Sequence, residues 1–313
     1  MRILITGGAG FLGSHIVDKL IARGDKVLVI DNYVTGRRDN LIEHSNLQVV
    51  EGTIANRNLV KECFKSFIPE IVIHAAASYK DPNNWEEDSR TNVTGTANIV
   101  QEALNTNIKR LIYFQTALCY GTKPIEQPIT LNHPLRPYES SYAISKTAGE
   151  NYISLSGLEF ISFRLANAYG PRNLSGPLPT FYHRLINNKK CFVMKTRRDF
   201  IFVNDLVDVV MLAIDGIGSK GYYHISSGSD YSIKELFDAA VKALNINLDE
   251  PVEEKEMGAD DTFTILLDPS KTNRDFGWKV KTHLEYGIRK AIEWYSENGI
   301  NQTYTHLKVA EES

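Results

Sequence analysis

Cysteine is scarce in this chain. There are three in 313 residues, Cys63, Cys119 and Cys191, far apart in sequence. No CxxC pair and no Cys/His cluster occurs, which argues against a structural zinc site, and no metal is expected. An odd, sparse cysteine count fits a reducing compartment rather than a disulfide-stapled secreted domain. Long apolar runs are also missing: none reaches the roughly 18–20 residues of a membrane span. The apolar start MRILITGGAGFLGSHIVDKL has too short a run, broken by glycines, to serve as a secretory signal. Charge of one sign is lacking as well. Lys and Arg number 35 against 38 Asp and Glu, a net charge of −3. That leaves no general electrostatic footprint for nucleic acid, so an anionic ligand needs a local pocket. No internal repeat is visible. The expectation is a cytoplasmic protein with no membrane and no nucleic-acid partner.

What is present is an ordinary globular composition, 42% hydrophobic and 23% charged. The length exceeds what most single cores use, so two domains, or one with a large appendage, are expected. Short β-branched runs alternate with longer amphipathic ones. Strands are predicted over 2–6, 26–31, 47–52, 70–77, 110–116 and 158–167, and helices over 11–24, 56–66, 84–106 and 141–156. This alternation implies βαβ units, and near-continuous apolar strands imply a parallel sheet covered on both faces. The predicted fold is α/β, a Rossmann-type doubly wound parallel sheet with a smaller mixed α/β C-terminal substrate domain. The first domain spans 1–169, with returning segments near 200–226. The Gly/Pro-rich stretch 170–179 opens the second, 170–313.

The first strand runs into GGAGFLG, which spaces Gly7, Gly10 and Gly13 as G-x-x-G-x-x-G. A glycine-rich turn can simply cap a helix. Between a strand and a helix, however, the spacing suits a tight turn, a backbone close to a pyrophosphate and a helix N-terminus aimed at the anion. The second strand ends at Asp31 and Asn32, 18 residues past Gly13. A carboxylate there accepts both hydroxyls of an adenosine ribose and repels a 2′-phosphate, which favours NAD over NADP. Arg37 and Arg38 nearby pull slightly the other way. Tyr142 and Lys146, in SYAISK, share a helix face at i, i+4. Alone, such a pair usually marks a solvated face.

Together, TGGAGFLGSH, DNYVTGRRDNL, VIHAAA, TNVTGTANIV, SYAISK, FRLANAYGPR, RRDFIFVNDLVD and LDPSKTNRDFGWK cover nearly the whole chain. In that order they resemble the extended short-chain dehydrogenase/reductase family, most closely its nucleotide-sugar epimerase/dehydratase branch. The resemblance implies that Tyr142 is the general acid or base and that Thr116 hydrogen-bonds the reacting hydroxyl. Lys146 would bind the nicotinamide ribose and lower the Tyr142 pKa. A free phenol titrates near 10, so a base working near pH 7 needs roughly 4 kcal/mol of help. Lysine and an oxidised nicotinamide, both positive, would favour the phenolate. The resemblance further implies cofactor contacts from Gly7, Gly10, Phe11, Leu12, Gly13, Asp31, Asn32, Gly36, Ile54, Ala75, Ala77, Asn92, Tyr142 and Lys146. The position before Ile54, where the family usually has Asp against the adenine, is Thr53.

For the substrate, a nucleotide-diphosphate sugar expected to be UDP-linked, the resemblance implies Thr116, a phosphate-facing Asn167, a pyrophosphate-binding Arg198, and Asp261. The family's Arg-Pro-Gly-Asp segment reads MGADD here, without the arginine. Dehydratases of the family follow the catalytic Thr with an acidic residue pair, and decarboxylases usually carry a Glu two places on. This chain has Ala117 and Leu118, neither of which can move a proton. What remains is hydride transfer with one base, above all 4-epimerisation through a 4-keto sugar. The expected context is surface polysaccharide or lipopolysaccharide precursor synthesis. A 4-ketoreductase or dehydrogenase, and a non-catalytic dinucleotide sensor, are the rivals. A homodimer is implied by resemblance alone. Cys119 lies one residue from where relatives place a catalytic cysteine, so it reads as packing.

Overall fold

The computed structural model describes residues 1–79, 81–257, 262–300 and 303. Strands β1 (Arg2–Thr6), β2 (Lys26–Asp31), β3 (Leu47–Glu51), β4 (Ile71–His74), β5 (Arg110–Thr116) and β6 (Phe160–Leu165) form one parallel sheet. The short β7 (Asn167–Tyr169), β8 (Phe192–Met194), β9 (Arg197–Arg198) and β10 (Phe200–Phe202) follow it in the chain. Next comes β11 (Gly221–Ile225), and β12 (Tyr231–Ser232) and β13 (Glu253–Lys255) come last. The sheet order is β11-β6-β5-β4-β1-β2-β3, with every pairing parallel. The chain winds outward from β1 to β3, then returns to β4 and winds the other way. The switch point therefore lies between β1 and β4, where α/β sheets open a crevice for ligands.

Helices α1 (Phe11–Arg23), α2 (Arg57–Phe67), α3 (Trp85–Asp88), α4 (Thr96–Thr106) and α5 (Ser141–Leu155) belong to this half. The later half holds α6 (Pro177–Ile186), α7 (Val203–Ile214), α8 (Ile233–Leu244), α9 (Ser270–Phe276) and α10 (Leu284–Asn298). One apolar cluster, with Leu4, Val60, Ile99 and Ile153, fills the sheet face under α2, α4 and α5. On the other face a larger cluster starts at α1 and α7 and continues through Phe181, Leu236 and Ile288 of α6, α8 and α10. The helices of the later half thus share an unbroken core with the parallel sheet.

Local chemistry explains the helix ends. Asn56 caps α2 by accepting from the Asn58 and Leu59 N–H groups, and Ser232 with Glu235 forms a capping box on α8. Two predicted elements are broken where tertiary partners intervene. The helix expected over 84–106 unwinds into a π-type turn at Ser89–Gly95 between α3 and α4. The strand expected over 158–167 divides at Ala166. There the N–H still reaches Ile225 of β11, while the Asn167 N–H turns to the Asp199 carbonyl. From that point β7 pairs with β10 and leaves the main sheet.

Candidate active site

The end of β1 carries the first half of the site. Gly7 has φ +70°, which disfavours a side chain, and its N–H donates to the Ile30 carbonyl at 2.8 Å. A Cβ on Gly13 would lie 2.2 Å from the Gly7 carbonyl oxygen, so the helix presses directly on the turn. Helix α1 starts after Gly10 with no side-chain cap and no acidic residue in its first turn. Its leading N–H groups, at Phe11 and Leu12 among others, therefore remain for an anion.

Asp31, at the end of β2, is buried and accepts from the Ala9 N–H and the Tyr33 N–H, both at 2.8 Å. Burial pushes its carboxyl up and these hydrogen bonds hold it down, so burial prevails. Gly36 lies against it, where a Cβ would come 3.0 Å from Asp31 Oδ1. Asn32 is exposed and turns back to accept from the Val34 N–H. The two nearby arginines are engaged: Arg37 pairs with Asp39, and Arg38 pairs with Glu51 at 2.7 Å and covers the Tyr33 ring. Neither waits for a 2′-phosphate. A glycine cradle, an uncapped helix start and a buried carboxylate together fit a dinucleotide of the NAD type.

Across the switch point, β4 is tied to β1 through His74. Its Nε2 reaches Thr96 Oγ1 at 2.8 Å and its Nδ1 reaches Thr6 Oγ1 at 2.7 Å. Thr96 donates its own hydrogen to the Asn92 carbonyl, so it accepts from His74 Nε2–H. The imidazole is neutral, since burial holds its pKa well below the ordinary value. Ala75 and Ala77 follow in a partly buried loop, with the Ala75 N–H on the Thr6 carbonyl. Ile54 is buried against Gly95 at the end of the π-type turn. Asn92, within that turn, accepts from the Ser78 N–H and donates to the Ser78 carbonyl and Ser145 Oγ. Its polar atoms thus pin the Ser78 loop to α5.

Thr116 ends β5, where its Oγ1 accepts from the Leu118 N–H at 3.2 Å and keeps its own hydrogen to donate. Tyr142 and Lys146 stand one turn apart on α5, whose N-terminus is capped by Ser140. The Tyr142 ring meets the Tyr79 ring edge-on at 6.4 Å. The resemblance implies a lowered Tyr142 pKa, but the protein's own groups work the other way. Burial, then Tyr79 and Asp88, push the phenol up. Lys146 is 2% exposed, and burial, opposed by Glu150, drops its pKa to about 7. Cys119 is sealed in the core with its thiol pushed up by burial, which fits packing and not catalysis.

The residues expected to meet the substrate are less gathered. Asn167 is exposed, with Nδ2 donating to the Asp199 carbonyl at 3.2 Å. Arg198 Nη1 donates to the carbonyls of Arg197 and Thr262, both at 2.7 Å. Asp261 lies outside the described residues. Sequence reasoning missed Ser78, Tyr79, Asp88 and Ser145, which surround Tyr142 and Asn92. Of these, Ser145 stood within SYAISK and had a signal. Ser78 and Tyr79 lie on a loop, and Asp88 ends α3, where the helical pattern of 84–106 gives no sign of the contact.

Comparison with known proteins identifies a family for the chain. The model of the NAD dependent epimerase/dehydratase family matches residues 3–226. The Bordetella bronchiseptica enzyme WbmH, solved in complex with NAD+, is 52% identical with a TM-score of 0.92. The match covers 96% of this chain and 99% of that one. WbmG from the same organism, solved with NAD and UDP, is 44% identical with a TM-score of 0.91, covering 98% of each chain. The UDP-glucose 4-epimerase of Mycolicibacterium smegmatis is 28% identical over 313 residues, 94% of this chain and 98% of that protein.

Proposed function

The chain belongs to the NAD dependent epimerase/dehydratase family, and from that premise we propose that it is a 4-epimerase of a UDP-linked hexose or hexosamine. Its cofactor is NAD, which supplies a hydride acceptor and a positive charge when bound. The observation that carries the reading is the turn after Thr116. Ala117 is buried, Leu118 is apolar, and Cys119 is sealed with a raised pKa. No residue of this turn can move a proton to or from C5 or C6, so dehydration and decarboxylation lack their usual acid and base.

With the hydride acceptor that NAD would supply, the chain's own groups provide the rest of what inversion at C4 needs. Thr116 donates its hydroxyl hydrogen to the substrate oxygen, and Tyr142 removes and returns the 4-hydroxyl proton. Lys146, one helical turn away, holds the ribose and in its protonated form places a positive charge near Tyr142. Asn167 and Arg198 anchor the diphosphate while the 4-keto sugar turns over, with Asp261 as a further substrate contact, so binding energy remote from C4 retains it. The UDP assignment draws support from the UDP held by WbmG and the name of the M. smegmatis relative.

We further propose a homodimer through α4 and α5, which expose Leu104, Ile144, Tyr152 and Leu155. The proposed setting is the cytoplasm, in surface-polysaccharide precursor synthesis. No helix among the described residues is long and apolar enough to cross a membrane.

The deciding experiment incubates the protein with UDP-hexoses, UDP-N-acetylhexosamines and their uronic acids, and reads C4 configuration by NMR. C4 inversion without net NADH supports the proposal. Stoichiometric NADH turnover would instead make it a dehydrogenase or ketoreductase, and no turnover across the panel would overturn the epimerase reading.

A further inference from the structure

The Lys146 ammonium is unusual in its surroundings. The side chain is 2% exposed and makes no hydrogen bond from Nζ among the described residues. Its Nζ lies 4.0 Å from the centroid of the Tyr113 ring. Tyr113, on β5, is fully buried, and its hydroxyl donates to the backbone carbonyl of Lys146 itself at 2.9 Å. One residue therefore meets Lys146 twice, with its ring at the charge and its hydroxyl at the main chain.

The fit is enforced from a third side. A Cβ on Gly149 would lie 2.9 Å from the Tyr113 hydroxyl, 2.9 Å from the Asn92 carbonyl and 3.1 Å from Thr96 Oγ1. The bare glycine lets α5 settle onto β5 and the π-type turn at the one height where the ammonium overlies the ring.

The titratable and charged groups around Lys146 come from several elements. On α5 they are Tyr142 and Glu150, and the Glu150 carboxylate is already paired with Arg164 of β6. From the end of β4 comes His74, which is neutral. The turn after β5 contributes Cys119, whose thiol stays protonated, and the end of α3 contributes Asp88, whose charge reaches Tyr142. None of them makes an ion pair with Nζ, and the face of the Tyr113 ring lies 4.0 Å from it. A ring face attracts a desolvated cation through its quadrupole.

We propose that Tyr113 is a positioning residue for Lys146: its ring face steadies the nearly buried ammonium, and its hydroxyl locks the turn of α5 that carries it. This deepens the reading of Lys146 as the group that holds the nicotinamide ribose and rests on it for its functional meaning.

The test uses the full-length chain with lysine side chains labelled at 13Cε, titrated by NMR with and without added NAD. Lys146→Arg assigns the Lys146 signal. Tyr113→Phe keeps the ring and removes the hydroxyl. Tyr113→trifluorophenylalanine keeps the shape and removes the negative ring face, so that a loss of fold does not stand in for a loss of charge stabilisation. The expected result is a Lys146 midpoint near wild type in Tyr113→Phe and about one pH unit lower in the fluorinated variant. NAD affinity should weaken in Tyr113→Phe, which loses the hydroxyl lock on the turn, and weaken further in the fluorinated variant. Equal midpoints in the two variants would overturn the proposal, as would an equal shift in both. Because the readout needs no turnover, a positive titration with an inactive sugar panel would keep this inference and sink the epimerase reading, and the converse outcome would do the reverse.

Discussion

Arg164 Nη2 donates to Glu150 Oε2 at 2.8 Å with both side chains buried, and Glu150 lies one helical turn beyond Lys146 on α5. The pair continues outward in one direction. Arg164 Nη1 donates to the Tyr120 hydroxyl at 2.8 Å. The Tyr120 hydroxyl donates to His224 Nε2 at 2.6 Å, and His224 Nδ1–H donates to the Asp268 carbonyl at 3.0 Å. Each donor in this chain is committed, so it fixes β5, β6, β11 and the approach to α9 around the base of α5.

Removing one member should therefore be costly. Glu150→Gln leaves the Arg164 charge buried without its partner, and a loss of about 3–5 kcal/mol is expected. Glu150→Gln combined with Arg164→Met removes both charges and should recover most of that loss. Urea unfolding of the three proteins checks this, and a double variant as unstable as the single one would contradict it.

On the proposed roles, chemistry and binding separate at Tyr142 and Thr116. Tyr142→Phe is expected to lower kcat by about 10²–10⁴-fold while NAD stays bound, because only the proton-moving group is lost. Thr116→Val should cost less, since it removes one hydrogen bond and leaves the base. Turnover and NAD retention measured side by side decide it, and full activity in Tyr142→Phe would remove Tyr142 from the mechanism.

The cofactor cradle should tolerate no added carbon at Gly13. Gly13→Ala places a methyl group 2.2 Å from the Gly7 carbonyl, so the turn must open and NAD affinity should fall by more than tenfold. Asp31→Asn is milder: it retains one oxygen acceptor but loses the charge, and a loss of about tenfold is expected. Calorimetric titration with NAD ranks the two, and a Gly13→Ala protein that binds normally would show that the turn is looser than its geometry.

Two buried groups of opposite sign shape the acid response. Burial lowers His224 to about 4, so between about pH 6.5 and 4 the unfolded chain takes up a proton that the folded one resists, and stability falls as pH falls. Burial raises Asp199 to about 6, opposed by hydrogen bonds from Ser226 and Ser227. Between about pH 6 and 3.8 the folded form binds the proton first, and stability rises as pH falls. The two slopes offset each other. His224→Gln should therefore flatten or reverse the acid loss, and Asp199→Asn should steepen it. Thermal melts from pH 4.5 to 7 measure both slopes; curves parallel to wild type would rule the pair out.

Much of this was legible in the residues themselves. The β1 turn announces itself because a glycine at positive φ, a helix start and a terminal carboxylate are local requirements. The pair Tyr142 and Lys146 is legible for the same reason, since i, i+4 spacing fixes a shared face. The helix over 84–106 misleads, because its periodicity continues through Asn92. Only contact with Ser78 and Ser145 reveals that the backbone there widens into a π-type turn. The strand over 158–167 misleads likewise, since apolar patterning cannot say that Asn167 trades the main sheet for β10.

The sequence alone determined most strands and helices of the first half, the glycine turn after β1 and which residues can or cannot move protons, because each depends on neighbours within a few positions. Tertiary structure alone decided how their charges are set. Glu150 and Arg164 are 14 residues apart, Arg164 and Tyr120 are 44 apart, and Tyr120 and His224 are 104 apart. Tyr113 and Lys146 are 33 apart. Periodicity records which face of a strand or helix is buried, but a buried polar group takes whichever partner packing brings within 3 Å. That proximity exists only once the chain has folded.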